Sequence, residues 1–184
     1  MSLVDADLVL FHGGRLEGAV ELRTRAGSMA YGPGFYMTTS YWTAREYRGG
    51  NGRVYRVRVK MPLRWADELR LTRAEVEKML SSIPKLKRRE DVWEDLEVSF
   101  SRSRDERVSM VNVTNVLGNN GSYGASVAVE VARAMVEAGC DATLIRGANG
   151  GSEDWVALHN VSKIRGYEAT TGPEDDRPRL TGES

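Results

Sequence analysis

The sequence predicts a single α+β domain with mainly antiparallel strands. Three observations favour this class. The chain has 184 residues, a length that suits one domain. Hydrophobic residues make up 41% of the chain and charged residues 28%, which is typical of a folded globular protein. Short apolar runs of strand character are interspersed with segments in which apolar residues recur every three or four positions, as in helices.

The composition also excludes several function classes. The 26 basic residues are balanced by 26 acidic ones, so the chain is not expected to bind nucleic acid through bulk positive charge. There is no run of 18 apolar residues, and residues 1–10 lack the basic cluster of a secretory signal, so we expect a cytoplasmic or particle-bound protein without a membrane span. One cysteine excludes an internal disulfide, and with two histidines it leaves too few soft ligands for a structural zinc site. No metal is therefore expected.

The first third of the chain predicts three strands and one helix. The strands are expected over residues 7–11, 35–39 and 53–61, and the helix over residues 41–48. Ser40 is the expected N-cap of the helix, and a capping box between Thr43 and Glu46 is the alternative register. The third strand alternates polar residues with apolar ones such as Val57 and Val59, which indicates an antiparallel strand with one solvated face.

Residues 63–108 are predicted to form a helical insertion. Thr72 and Glu75 make a capping box before apolar residues at helical spacing, and a second helix is expected over residues 90–100. The segment is dense in charges of both signs. This composition favours a solvated helical lobe, and a docking lobe for a partner or substrate is the alternative.

The last third returns to mixed helix and strand. A helix is predicted over residues 122–138, with Gly139 as its C′ residue. Strands are expected over residues 142–145, 155–159 and from residue 163 onward. Residues 169–184 are polar and contain proline, so we expect a disordered tail after a domain that spans residues 1–168.

Two segments of the chain carry the candidate site residues. His12 follows the first strand and precedes two glycines, which would place its imidazole beside backbone amides that a ligand can approach. A turn histidine without a ligand is the alternative. Tyr36 and Tyr47 lie on a strand and on the helix after it, an arrangement that can leave a slot between two rings for a planar cation. The alternative is that Tyr47 packs in the core.

These segments resemble the H-Y-E class of ADP-ribosyltransferases, the diphtheria-toxin-like and poly(ADP-ribose)-polymerase-like families, and look closest to small bacterial and phage domains. The matching sequences are FHGG at residues 11–14, GPGFYMTT at residues 32–39 and AREY at residues 44–47. The resemblance covers residues of about 8–60 and 122–168. It implies a split pair of antiparallel sheets around an NAD cleft, with NAD as co-substrate. It also implies a macromolecular acceptor, with protein favoured and nucleic acid left open, and the host cytoplasm as the location of a phage-encoded or delivered protein.

The resemblance assigns roles to individual residues. It implies that His12 and Gly13 hold the ribose and carboxamide of NAD, that Tyr36 and Tyr47 hold the nicotinamide, and that Thr38 also belongs to the NAD site. It also implies that His12 and Tyr36 act in catalysis. These families also place a glutamate at the start of a late strand, where it stabilises the charge that develops on the ribose. Glu153 is the predicted acid. Asp154, directly before an aromatic residue, is the alternative, and only one of these neighbours can face the slot because adjacent strand residues point to opposite sides.

Other activities and residues stay open at this point. An NAD glycohydrolase, a non-catalytic virion or effector module of the same fold, and an RNA 2′-phosphotransferase are the alternatives, and the tyrosine pair argues against the last. Arg15, Arg23 and Arg25 are candidates for the NAD pyrophosphate, although surface solubility is the commoner reason for such arginines. Cys140 stands where these domains often carry an aromatic residue and is expected to pack. His159 is expected to be structural.

Overall fold

The computed structural model describes residues 7–22, 32–121 and 127–173. Arg23 and Arg25 therefore lie outside the described residues, as do the first five residues of the helix predicted from residue 122. The predicted tail lies outside them from residue 174 onward.

One six-stranded antiparallel sheet forms the centre of the fold. Its strands lie in the spatial order β6 (Ala142–Gly147), β7 (Glu153–Leu158), β2 (Phe35–Thr38), β1 (Leu8–Gly14), β3 (Arg53–Val59) and β8 (Ile164–Thr170). Each neighbouring pair is antiparallel. The predicted α+β class with antiparallel strands is thus confirmed.

The sheet is nearly divided into two halves. Strands β1 and β2 are paired at Phe11 and Thr38 alone, whereas β1 and β3 are paired along seven residues of each strand. In place of the two separate sheets that were expected, the structure has one sheet whose three-stranded halves are joined at this pair. Beyond Phe11 the halves separate, and a cavity opens there.

Helix α1 (Tyr41–Tyr47) packs on β1 next to this separation. The side chain of Ser40 accepts a hydrogen bond from the Thr43 amide at 3.2 Å, which confirms the Ser40 cap over the alternative register. Gly13 allows the close contact, because a Cβ at this position would lie 1.8 Å from the Ala44 carbonyl oxygen. The helix therefore forms one wall of the cavity.

Four helices and a two-stranded ribbon form a second layer. The helices are α2 (Arg73–Ser81), α3 (Arg89–Ser101), α4 (Met110–Asn119) and α5 (Ala128–Glu137), and the ribbon pairs β4 (Arg70–Thr72) with β5 (Arg107–Ser109). All four helices contribute to one hydrophobic core. The two helices predicted within residues 63–108 are present, and their buried side chains, including Leu96 and Phe100, pack with α4 and α5 rather than forming a lobe of their own.

Several predicted boundaries change in the structure. Strand β7 begins at Glu153, two residues earlier than expected, and ends at Leu158. Strand β8 continues to Thr170, so the first two residues of the predicted tail belong to the sheet and are not disordered. Gly139 follows the C-cap of α5 with φ +100°, as predicted for a C′ residue.

Candidate functional site

A cavity of about 500 Å³ lies where β1 and β2 separate. Its walls include five of the predicted site residues, which are His12, Gly13, Tyr36, Thr38 and Tyr47. Phe11, Met37, Ala44 and Trp155 add apolar surface. The fold therefore brings the two matched N-terminal segments to one concave site.

The imidazole of His12 replaces the missing strand pairing at the cavity. Its Nδ1 atom is 2.8 Å from the carbonyl oxygen of Tyr36, and its ring stacks on Phe35 with centroids 4.2 Å apart. Because a carbonyl oxygen can only accept, Nδ1 donates, and in the neutral ring Nε2 is then the acceptor. The half-buried His12 side chain is thus held in one orientation at the wall.

The ring of Tyr36 is held by the turn that precedes its strand. The Tyr36 hydroxyl donates to the carbonyl oxygen of Gly32 at 2.6 Å. Behind the turn, His159 donates from Nδ1 to the carbonyl oxygen of Pro33 at 2.6 Å, and its Nε2 lies 2.9 Å from the Thr143 hydroxyl. His159 is 2% exposed, and this burial lowers its pKa to about 4 against the smaller opposing effects of Pro33 and Asp141. As expected, His159 is structural, and it anchors the turn that carries Tyr36.

Tyr47 lies at the open side of the cavity. Its side chain is 66% exposed, which contradicts the alternative that it packs in the core. Its ring meets Trp155 edge to face, with centroids 5.9 Å apart. Trp155 was not predicted as a site residue. Its place two residues after Glu153 was the available signal, because alternate strand residues share a face.

The structure separates the two candidate acids. The carboxylate of Glu153 accepts hydrogen bonds from the Thr38 hydroxyl at 3.0 Å, from the Trp155 indole N–H at 2.8 Å and from the Asn149 amide. Thr38 and Trp155 both line the cavity, so Glu153 lies directly behind its wall. Asp154 instead accepts from the Gly147 amide at 2.9 Å, toward the connection between β6 and β7. The catalytic role of Glu153 stays a prediction.

A single helical turn, Ala148–Gly151, lies between β6 and β7 and places a donor on Glu153. Asn149 adopts a left-handed conformation with φ 48°, and its side-chain amide donates to the Glu153 carboxylate. Short polar residues such as asparagine tolerate this conformation better than most. Sequence reasoning identified the glycine-rich loop but not Asn149, whose place in that loop just before the acid was the signal.

Charged groups are kept away from the cavity wall. Among its described lining residues there is no lysine, arginine, aspartate or glutamate. No three His, Cys, Asp or Glu side chains group together as metal ligands anywhere in the described ranges. An aromatic, nearly uncharged cavity with one carboxylate behind its wall suits a flat, polar ring that carries a positive charge.

Two buried polar groups outside the cavity wall are structural. Asp141 is buried, and although burial raises its pKa, hydrogen bonds from Arg64 and Asn160 outweigh this effect and lower the pKa to about 2. This cluster holds the start of β6 against the segment after β7. Cys140 is fully buried, and burial raises the pKa of its thiol to about 12. It packs in the helical core, as expected.

Comparisons with known proteins identify no relative. Protein-family models, curated proteins and solved structures were compared with the chain, and none of them matches it. In the part of the chain that the structure describes, no helix is long and apolar enough to cross a membrane. The interpretation of the cavity therefore depends on its own geometry and on the motif resemblance.

Proposed function

We propose that the protein transfers ADP-ribose from NAD to a macromolecular acceptor and releases nicotinamide. The observation that carries this proposal is the shared cavity. It combines His12, Gly13, Tyr36 and Tyr47 in its wall with Glu153 directly behind that wall. Glu153 is more than 100 residues away from the other four in the sequence, yet it lies next to the cavity that they line.

The cavity fits the nicotinamide end of NAD in size and chemistry. Its volume of about 500 Å³ falls within the usual range of small-molecule sites. The rings of Tyr36, Tyr47 and Trp155 can face a pyridinium ring, and such a contact contributes roughly 0.5–2 kcal/mol. Gly13 lines the cavity, so its backbone is the candidate partner of the carboxamide.

The reaction breaks the bond between C1 of the nicotinamide-bearing ribose and the ring nitrogen. The bonding electron pair leaves with the ring, which becomes neutral nicotinamide, and positive charge develops at the sugar carbon. Glu153 would stabilise that charge and accept a hydrogen bond from a ribose hydroxyl. A nucleophilic atom of the acceptor then bonds to the sugar carbon and gives up its proton to solvent.

A second candidate is a binding module that does not turn NAD over. Glu153 is only 3% exposed, and its carboxylate contacts wall residues rather than lining the cavity itself. If the wall does not open when NAD binds, the carboxylate will not reach the ribose. In that case NAD binding without nicotinamide release is expected.

The test uses NAD labelled in the nicotinamide ring or in the adenylate phosphate, with a lysate as the source of acceptors. Release of labelled nicotinamide together with transfer of adenylate label is expected. Glu153→Gln should reduce both by about 100-fold or more, the scale seen when a group that stabilises developing charge is removed. Tyr47→Ala should raise the KM for NAD, and the fold should tolerate it because the side chain is exposed.

The matched control is Val98→Ala, which removes another exposed apolar side chain (48% exposed) from helix α3. It should leave both activities unchanged. Nicotinamide release without transfer would identify an NAD glycohydrolase. Binding of NAD without release would identify the non-catalytic module. An active Glu153→Gln variant would contradict the assignment of the acid.

A further inference from the structure

Helix α1, which forms one wall of the cavity, also carries an exposed aromatic residue that does not line it. The side chain of Trp42 is 52% exposed, although half-exposed tryptophans are uncommon on soluble proteins. Its ring packs edge to face on Tyr41, with centroids 5.3 Å apart, and the Arg45 guanidinium lies 5.4 Å from the ring centroid. The indole is therefore contacted by Tyr41 and Arg45, in a residue that is still half exposed to solvent.

Four arginines lie on helix α1, just after it and at the adjoining ends of β1 and β3, outside the cavity wall, and we call them the arginine rim. They are Arg15, Arg45, Arg48 and Arg53, and all four are exposed. Among the described residues none of them forms an ion pair. Other exposed arginines of the chain, such as Arg70 and Arg73, do pair with carboxylates. The rim thus carries positive charge that no carboxylate of the described residues pairs with, in a chain whose formal net charge is zero.

Backbone contacts place the rim next to the cavity. Arg53 pairs with Gly14 in the β1–β3 ladder, and Arg15 follows Gly14 in the chain. A Cβ on Gly52 would lie 1.7 Å from the Arg48 carbonyl oxygen and 2.9 Å from that of Gly14. The turn between α1 and β3 is also open, since a Cβ on Gly49 or Gly50 would meet nothing within 4 Å. A ligand chain can therefore approach the rim closely.

We propose that Trp42 and the arginine rim bind single-stranded nucleic acid. Proteins that bind single strands combine aromatic side chains, on which bases stack, with cationic groups that contact the backbone phosphates. Both are present here, on helix α1 and the turn after it and at the adjoining ends of β1 and β3. The binding surface stands independently of the activity. The further step, that nucleic acid rather than protein is the acceptor of ADP-ribose, rests on the proposed function.

Single strands are favoured over the other polyanions. In a duplex the bases are stacked on each other and are not available to Trp42. An acidic peptide would satisfy the arginines but would leave the half-exposed indole unused. Four cations are also too few for tight duplex binding through charge alone, and they match a contact of a few nucleotides.

The binding test uses fluorescein-labelled 12-nucleotide single-stranded DNA and RNA of one mixed sequence, measured by anisotropy with no NAD present. With three to four phosphate contacts, the slope of log K against log salt should be about −2 to −3. Arg45→Gln with Arg48→Gln should make that slope shallower by about 1.4. Trp42→Ala should weaken binding by about 5- to 150-fold, and Trp42→Phe should retain most of the affinity.

The matched control is Arg102→Gln with Arg104→Gln, which removes the same charge from exposed arginines of the helical layer and should change neither affinity nor slope. Circular dichroism checks that each variant is folded. Absence of oligonucleotide binding at 50 mM salt would overturn the proposal. Equal binding of polyglutamate, unaffected by Trp42→Ala, would show a surface for acidic proteins. Full displacement of the oligonucleotide by ADP at matched phosphate concentration would assign the rim to the NAD pyrophosphate. None of these outcomes depends on whether NAD is cleaved.

Discussion

Lowering the pH should destabilise the protein through His159, before the buried Asp141 titrates. Burial holds the imidazole neutral and lowers its pKa to about 4, against an ordinary value of 6.5. Between these two values the unfolded chain binds a proton that the folded chain does not. The stability that the neutral ring contributes is therefore complete above pH 6.5 and is lost as the pH falls toward 4.

The size of the effect follows from the two pKa values. Each pH unit between them costs about 1.4 kcal/mol of unfolding free energy. Between pH 7 and pH 4.5 the loss should reach about 2.4 kcal/mol, a large part of the 5–15 kcal/mol that is typical of a domain. Asp141 has a depressed pKa of about 2 against 3.8, so the stability it contributes is lost only below pH 3.8. The two windows do not overlap.

Urea unfolding at four pH values between 7 and 4.5 measures this loss. His159→Asn keeps an amide N–H for the Pro33 carbonyl but does not titrate, so its unfolding free energy should be nearly flat over the same range. His12→Gln is the control, because it removes the other histidine of the chain and leaves His159 in place. A wild-type stability that changes by less than about 0.5 kcal/mol, or a slope that persists in His159→Asn, would refute the reasoning.

Three further predictions concern the cavity and the core. Gly13→Ala would put its Cβ 1.8 Å from the Ala44 carbonyl oxygen and should lower the free energy of unfolding, measured in urea, by about 1–3 kcal/mol or more. Gly50→Ala is the control, because the space around its Cβ is open, and it should lower the free energy of unfolding far less. Equal losses in the two variants would be inconsistent with the contact. Trp155→Phe keeps a ring but removes the N–H that donates to Glu153. The kcat of nicotinamide release should therefore fall by about 10- to 150-fold, with little change in the KM for NAD. An unchanged kcat would show that this hydrogen bond does not contribute to the reaction. The buried Cys140 thiol, with its pKa of about 12, should react with iodoacetamide at least about 100-fold more slowly in the native protein than in urea, and comparable rates would show that the helical core opens readily.

The elements with strong local signals could be predicted from the sequence. The alternation through residues 53–61 predicted β3, and its apolar side chains at Val57 and Val59 are fully buried. Ser40 predicted the start of α1 because a cap depends on one side chain and one nearby amide. The two tyrosines were predicted to share a site because strand, turn and helix are consecutive in the chain.

The elements that depend on packing against distant parts of the chain could not be predicted from the sequence. Helix α4 spans MVNVTNVLGN, a segment rich in β-branched residues and asparagine, which have low helix propensity. It is helical because Met110, Val113 and Leu117 are buried in the core of the second layer. The choice between Glu153 and Asp154 was open for a similar reason. The register of β7 on β2, with Trp155 opposite Thr38, decides which acid lies behind the cavity, and no local pattern specifies that register.

The separation of β1 from β2 explains why both glycines follow His12. Where a ladder ends, its backbone groups need other partners, and the Tyr36 carbonyl oxygen takes the Nδ1–H of His12. Any hydrogen bond from this ring to a ligand hydroxyl must then be made by Nε2. A Cβ on Gly14 would lie 2.8 Å from Nε2 and would displace the ring or cover that atom. Gly13 thus lets α1 form the wall, and Gly14 leaves the imidazole room to meet a ligand there.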